Sequence, residues 1–600
     1  MGVPLFTELK RRRVFRALVG YGIAAFAVLQ IIEPVMHGLH WPDAVLSYVV
    51  IALALGFPVV VALAWIFDVS GAGIERTVPV ASASLRGARL ALLLVGIGVL
   101  AAAPGTVWYF VSSRPRQART DVYQGRGRPS IAVLPLANIS PQASDEYFAE
   151  GMTEQLISTL SQISGLRVIA RTSVARYKGA TVDAAEIGRQ LQVGWLLEGS
   201  VRKDGDRLRI TVQLIDVKGQ EHLWSEDYDR QVKDVFAIQS DVARRVAQAL
   251  RVRLGSAASP PPTANTEALD AYLRGAYFIG ESQRGHNEET AYDSAIAMFR
   301  RATELDPGFA PAYSKLARAY TYKFFVLEPD KRWEEAAFVA AEKALALDGN
   351  LAEAHFARGN LAWTLSQHFP HERAIREQRA ALVLNPSFVE AHESLGGIYL
   401  HIGLFEQALA ELDAAMLLDP SNDFARPRIA RIHAYQGKYE QALEEFRGAR
   451  GWERETALVL GHMGRGEEAL ALLDTTLAET APQGRSLRAD LESSRAVILA
   501  ALGRRGEAEK SIGRAMLGQG TSHFHHAEYE IASTYALLGD HELALKWLGQ
   551  TAEDGLPCYP LFERDPNLQK LRGDARFTAF LQKQKQQWEV FRSGNLVATP

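Results

Sequence analysis

Apolar positions divide the chain into three regimes. In the first 111 residues they run almost unbroken: Ala17 to Ile32 is polar only at Tyr21 and Gln30, while Ala44 to Phe67 and Leu90 to Val111 carry no charge. A helix needs about 20 apolar residues to cross hydrocarbon, so transmembrane helices are expected near 14–33, 44–67 and 90–111. Gly56, Pro58, Pro104 and Gly105 are tolerated in such spans, and Trp65, Trp108 and Tyr109 sit where interfacial aromatics belong. Arg16 and Glu33 bracket the first stretch closely. A cleaved signal peptide and an interfacial helix are its alternatives. No small-x-small site ends it and Glu33-Pro34 follows, which favours a retained span.

The second regime mixes short strand-like runs with helical spacing. Residues 112–129 are polar, Arg-rich and contain Gly125 and Gly127, as a linker would be. Ser130–Leu136 and Leu166–Ala170 read as buried strands. Asp145–Ser164 places Phe148, Met152, Leu156, Ile157 and Leu160 on one helical face, and Ala184–Leu191 reads as a second helix. Trp195–Arg202 and Arg207–Val217 alternate around Asp204-Gly205, a hairpin signal, and Glu221–Arg230 adds a strand. Asp234–Leu254 is a helix with Val235, Ile238, Val242, Val246 and Leu250 inward. A small α/β domain over 130–254 is predicted.

After a Pro/Ser/Ala linker at 255–264 the period becomes helical and repeats. Asn385-Pro386 and Asp419-Pro420 stand 34 residues apart, the period of the tetratricopeptide repeat. Asp306-Pro307 and Asp348-Gly349 continue the series at wider gaps, with insertions near Phe324–Asp330 and Gln367–Pro370. The clearest unit, Phe388–Pro420, has Leu395, Gly396 and Tyr399 in its first helix and Ala408, Leu412 and Ala415 in its second. Small residues let the helices approach, Tyr399 and Leu412 fill the gap, and Pro420 forces the next turn. Ala295, Phe299, Ala302 and Pro307 repeat the second-helix pattern; Tyr313, Leu316 and Tyr320 repeat the first. Weaker copies at Gly437, Ala442 and Phe446, Gly464 and Ala469, Gly503, Ala508 and Ala515, and Ala532, Tyr535, Gly539 and Ala544 bring the array over 265–555 to about eight repeats. Residues 556–600 are read as a cap and tail, with Leu556–Trp588 closing the array behind a polar outer face. The fold class expected is therefore multidomain: N-terminal transmembrane helices, a small α/β domain and a C-terminal all-α solenoid. Its shared groove is of the kind that binds peptides of partner proteins.

Charge refines this picture. Lys10, Arg11, Arg12, Arg13 and Arg16 precede the first span, Glu33–Asp43 has no Lys or Arg, and Arg76, Arg86 and Arg89 lie in the next loop. Three spans then place the C-terminal domains outside the cytoplasm, in the periplasm of an inner-membrane protein. The arginines at 114, 116, 119, 126 and 128 argue the other way, and two spans would reverse the answer. A net charge of −3 gives no electrostatic case for nucleic acid, so the expected partners are a protein and a lipid bilayer.

Candidate chemistry is sparse. One cysteine, Cys558, can form neither an internal disulfide nor a Cys-based zinc site. His523, His525 and His526, with Glu528, could ligate zinc, but neighbouring helical positions do not share a face; an exposed helix start is preferred. Asp145, Glu146, Glu150 and Glu154 fit an acidic first helical turn. Gly125-Arg126-Gly127-Arg128 lacks the ending of a phosphate loop, and no nucleophile elbow, kinase set or zinc-protease motif appears. No catalytic residue, cofactor or metal is assigned.

The runs SIAVLPLANIS, DEYFAEGMTEQLISTLSQISGLRVIARTSVARYKG, DAAEIGRQLQVGWLLEGSVRKDGDRLRITVQLIDVKGQEHLWSEDYDR and DVFAIQSDVARRVAQAL resemble the FlgO-type (TolB N-terminal-like) domain, which often precedes tetratricopeptide repeats in bacterial proteins. The N-terminal ELKRRRVFRALVGYGIAAFAVLQI and ALGFPVVVALAWIFDVSGAGIER resemble the multi-span module of enzyme-free relatives. The resemblance implies a membrane-tethered, non-catalytic signalling or scaffold protein. A regulatory or degenerate relative of membrane adenylate cyclases, and an envelope or motility assembly factor, are the alternatives.

Overall fold

The computed structural model describes residues 128–593 apart from 181, 253–261, 284–286, 329, 482–483 and 521–522, together with Tyr21, Val28, Leu53 and two short strands. Those strands, Phe67–Ser70 (β1) and Gly73–Arg76 (β2), form an antiparallel hairpin. By compactness the chain divides into 1–124 and 125–600.

The expectation of N-terminal transmembrane helices is corrected here. Among the described residues no helix is long and apolar enough to cross a membrane. The longest described helices, Thr266–Gln283, Glu288–Leu305 and Ala575–Arg592, reach 18 residues but each is interrupted by several charged side chains, so none sustains the uninterrupted apolar run that a span needs. The stretches 14–33, 44–67 and 90–111 lie outside the described residues except at Tyr21, Val28, Leu53 and Phe67, and Phe67 pairs with Arg76 in the hairpin.

The α/β domain contains the strands Ser130–Val133 (β3), Ala137–Asn138 (β4), Arg167–Val168 (β5), Trp195–Asp204 (β6), Arg207–Asp216 (β7) and Glu221–Gln231 (β8). Its helices are Glu146–Ser161 (α1), Arg171–Ala175 (α2), Ala184–Leu191 (α3) and Val235–Ala249 (α4). The sheet order is β5-β3-β6-β7-β8, with β4 beside β6. β3 pairs in parallel with β5 and β6, while β6, β7 and β8 are antiparallel. The β6–β7 hairpin turns through Gly205 at φ +59°, a left-handed position that glycine fills without strain. Successive side chains of β3 serve opposite faces. Ile131 and Val133 join Phe148, Met152 and Leu156 of α1 and Ile238 and Val242 of α4 in one core. Ala132 joins Ile187 and Leu191 of α3 in the other.

Eight antiparallel helix pairs follow among the described residues. They are Thr266–Gln283 (α5) with Glu288–Leu305 (α6), Ala310–Tyr322 (α7) with Lys331–Leu347 (α8), Ala352–Ala362 (α9) with His371–Leu384 (α10), and Val389–His401 (α11) with Phe405–Leu418 (α12). The rest are Ala425–Tyr435 (α13) with Tyr439–Phe446 (α14), Glu453–His462 (α15) with Gly466–Glu479 (α16), Arg485–Ala501 (α17) with Arg505–Ala515 (α18), and His525–Leu538 (α19) with His541–Glu553 (α20). Tyr559–Arg564 (α21) and Ala575–Arg592 (α22) are the last described α-helices.

The repeat boundaries share one local device. Asp306, Asp348, Asn385 and Asp419 each leave the helix with extended backbone, and each side chain accepts from the backbone N–H two residues on, at 2.9, 2.9, 3.1 and 3.1 Å. This Asx turn stops one pair and aims the next. Within the later pairs the turn between helices falls on Gly403, Gly437, Gly464, Gly503 and Gly539, all at φ between 74 and 83°, the left-handed helix end that glycine favours.

Candidate functional site

The solenoid's own inner surface is partly taken. Helix α1 packs on α5, and a Cβ on Gly151 would lie 2.8 Å from Leu273. Gln155 Nε2 donates to Tyr272 Oη at 2.8 Å, and Tyr147 donates to Asp270. Lys315 Nζ on α7 lies 2.6 Å from Glu154 and 2.9 Å from Glu353. Farther along, the β5 edge meets the repeat junctions: Arg167 Nη1 donates to Leu417 O at 2.8 Å, Ala170 N to Leu418 O at 3.0 Å, and Ser173 to Asp419. The α/β domain thus occupies the first four repeats, and one apolar core runs from Ile131 to Leu361.

The last four repeats keep a cavity of about 280 Å³ among the first helices of successive pairs, α13, α15, α17 and α19, with α21 closing one side. Tyr435, Val459, Val497 and Leu561 give it apolar wall; Arg431, Arg454, Glu455 and Glu530 give it charge. Arg454 lies 2.7 Å from Glu455 and 2.8 Å from Glu530, Arg431 also pairs with Glu455, and Ser493 and Ser494 each donate to Glu530 at 2.6 Å. Burial opposes ionisation of Glu455, but the Arg454 and Arg431 guanidiniums hold its carboxyl at about 2. For Glu530 burial dominates even beside Arg454, and its carboxyl is pushed up. Burial also pushes Asp490, on α17, up to about 7 against the pull of Arg454. An apolar slot with a few fixed charges is suited to hold and orient a peptide segment.

None of these cavity residues carries a motif in the sequence. Of the residues picked out by repeat pattern, Gly437 and Phe446 line the cavity and the others lie elsewhere. Ala295, Phe299, Ala302, Leu316, Tyr320, Leu395, Tyr399, Ala408, Leu412 and Ala415 are buried between helices, as is Gly396, whose added Cβ would lie 2.8 Å from Leu412. Tyr313 is half-buried, and Pro307 and Pro420 are exposed at junctions. Tyr320 accepts from Arg300, and Tyr399 from Arg379 at 2.7 Å, the same contact two repeats apart.

The acidic start of α1 is a set of ion pairs. Asp145 meets Lys203 at 3.3 Å, Glu146 and Glu150 meet Lys178 at 2.6 Å, and Glu154 meets Lys315. Burial opposes ionisation of Glu154, but Lys315 and Arg171 hold its carboxyl at about 2. The histidines at the start of α19 are not the exposed helix start expected. His525 is 1% exposed, and His401 from α11 faces it across the closed array. Sequence spacing missed this because the partner helix lies more than 120 residues away. Burial holds His371 and His523 at about 4 and His401, His525 and His526 well below the ordinary imidazole value, so all five are neutral near pH 7.

Residues 127–245 match the family model of the HilA/YgeH-like transcriptional regulator, second domain. A relative named "Putative adenylate cyclase 3", from Rhizobium meliloti (strain 1021), is 37% identical over 240 residues, which cover 38% of this chain and 39% of that protein. The chain thus spans about two-fifths of the length of this curated relative. Among solved structures, a tetratricopeptide repeat protein from Parabacteroides merdae aligns with 48% of this chain and 99% of its own, at 16% identity and TM-score 0.32. MamA aligns with 30% and 96%, at 22% identity and TM-score 0.22. PilF of Pseudomonas aeruginosa aligns with 45% and 98%, at 18% identity and TM-score 0.22. At such scores these likenesses carry no weight by themselves; the repeat fold rests on the helix pairs and Asx-turn junctions described above.

Proposed function

We propose that the chain is a non-catalytic interaction module whose last four repeats hold a segment of a partner protein. The supporting observation is the division of the inner surface: the first four repeats hold the chain's own α/β domain, while the cavity between α13 and α19 combines apolar wall with paired charges. A partner peptide would lay apolar side chains against Tyr435 and Val459 and set its polar groups on Arg454 and Glu530. Affinity capture followed by mass spectrometry tests this with Leu458→Arg, half-buried at the cavity, against Val383→Arg, which is 80% exposed on α10. The reading expects proteins lost from the first variant and retained by the second. Identical lists from both folded variants contradict it.

The 37% identity to a protein named as an adenylate cyclase favours a second reading, that the chain regulates cyclic nucleotide synthesis without performing it. Cyclic AMP formed by the purified chain from ATP would overturn the non-catalytic part of both readings. A change in cyclic AMP level on deleting the gene, without activity in the purified chain, would favour the second.

A further inference from the structure

Three imidazoles from two distant repeats converge where the array closes. The ligand-capable nitrogens of His401, His525 and His526 all lie within 4.8 Å of one another. His401 Nε2 and His526 Nε2 are 3.2 Å apart. Two nitrogens bound to one tetrahedral zinc, each at about 2.0–2.1 Å, stand roughly 3.3 Å apart, so this pair already has the separation of co-ligands. His401 Nδ1 lies 2.7 Å from Gly397 O. That carbonyl can only accept, so the ring proton sits on Nδ1 and the Nε2 lone pair faces the cluster, the orientation a metal-bound histidine needs.

A second observation is independent of this proximity. His525 is almost fully buried, and among the described residues neither of its ring nitrogens makes a hydrogen bond of normal geometry, the Asp554 backbone being the polar group that comes nearest to one. A buried polar atom left unpaired costs about 1–3 kcal/mol, and a ligand that accepts its lone pair removes that cost. Trp363 and Phe369 pack edge-on against His401 and His525, at ring separations of 4.8 and 5.3 Å, and shield those two rings from solvent, while His526 faces the cavity.

We propose that His401, His525 and His526 form a site for one divalent transition ion of the zinc class, with the fourth position open to water. Its ligands come from α11 and α19, so the ion would pin the fourth repeat to the eighth. This goes beyond the peptide-binding reading and does not depend on it. Imidazole nitrogens suit zinc, cobalt, nickel and copper. The farthest nitrogen would have to move in by roughly 1.5 Å to reach tetrahedral spacing, a shift within reach of a ring turning about χ2.

Cobalt(II) is the probe, because its visible absorption reports tetrahedral nitrogen ligation directly. The full chain, freed of metal by chelator, is titrated with cobalt(II) and then with zinc(II). One equivalent of cobalt should bind with a visible band that zinc displaces, and zinc should raise the melting temperature. His401→Gln and His526→Gln should each weaken binding by roughly 100-fold or more, while His433→Gln, whose ring meets Glu445 away from the cluster, should bind as the parent does. Absence of stoichiometric cobalt uptake by the parent chain overturns the proposal. So does equal uptake by the His401 and His526 variants. Should either variant fail to fold, the parent titration decides.

Discussion

Lys315 Nζ sits 2.6 Å from the Glu154 carboxylate, joining the second helix pair to the first helix of the α/β domain across 161 positions of sequence. Both side chains are largely withdrawn from water, at 6% and 19% exposure. An ion pair so placed is costly to break on one side only, because the remaining charge stays buried.

Lys315→Ala is therefore expected to lower unfolding free energy by about 3–5 kcal/mol, measured by urea denaturation. Lys315→Met combined with Glu154→Leu should recover most of the loss. Full additivity of the two changes would show that the pair does not couple the domain to the repeats.

Two glycines should fail for different reasons. Gly396→Ala sets a methyl group 2.8 Å from Leu412 and should cost about 1–3 kcal/mol by overpacking. Gly437→Ala meets nothing within 4 Å but must hold φ at +77°, which costs about 1–2 kcal/mol. Adding Leu412→Val should partly rescue the first and leave the second unchanged. Thermal melts of the four variants distinguish steric from dihedral strain.

Asp490 supplies a pH signature. Burial raises its folded-state value to about 7, against an unfolded value of about 3.9. The folded chain therefore holds the proton more tightly, and this group's contribution to stability falls as pH rises from about 4 to about 7. Asp490→Asn should be more stable than the parent at pH 8, by on the order of 1–3 kcal/mol, and gain nothing at pH 4. Denaturant midpoints at the two pH values check the sign.

Cys558 is fully buried, its Sγ lies 3.7 Å from Leu400 O, and burial pushes its thiol up to about 12. It should resist alkylation in the folded chain and react at once in denaturant. Rapid native labelling, followed by mass spectrometry, would show that the closing segment opens readily.

What could be read in advance was local. Helical spacing fixed where Phe148 and Leu156 point, Asp204-Gly205 marked the hairpin, and the Asx residues at 306, 348, 385 and 419 marked junctions, because each acts within a few positions. What could not be read depends on superhelical closure. Nothing near His401 indicates that residues 525 and 526 will meet it, nor does Arg167 reveal that its partner is the carbonyl of Leu417. The reading of 14–33, 44–67 and 90–111 as membrane helices rested on apolar run length, interfacial aromatics, basic flanks and resemblance, and among the described residues no helix meets the requirement for a span.

The account turns on which part of the inner surface is free. A photo-crosslinking amino acid placed at Leu458, beside the cavity, and at Val383, on an exposed face of α10, measures this in cells. The account predicts a discrete adduct with a partner protein from position 458 and none from 383. Adducts from 383 alone, or none from 458 in a folded chain, would contradict it.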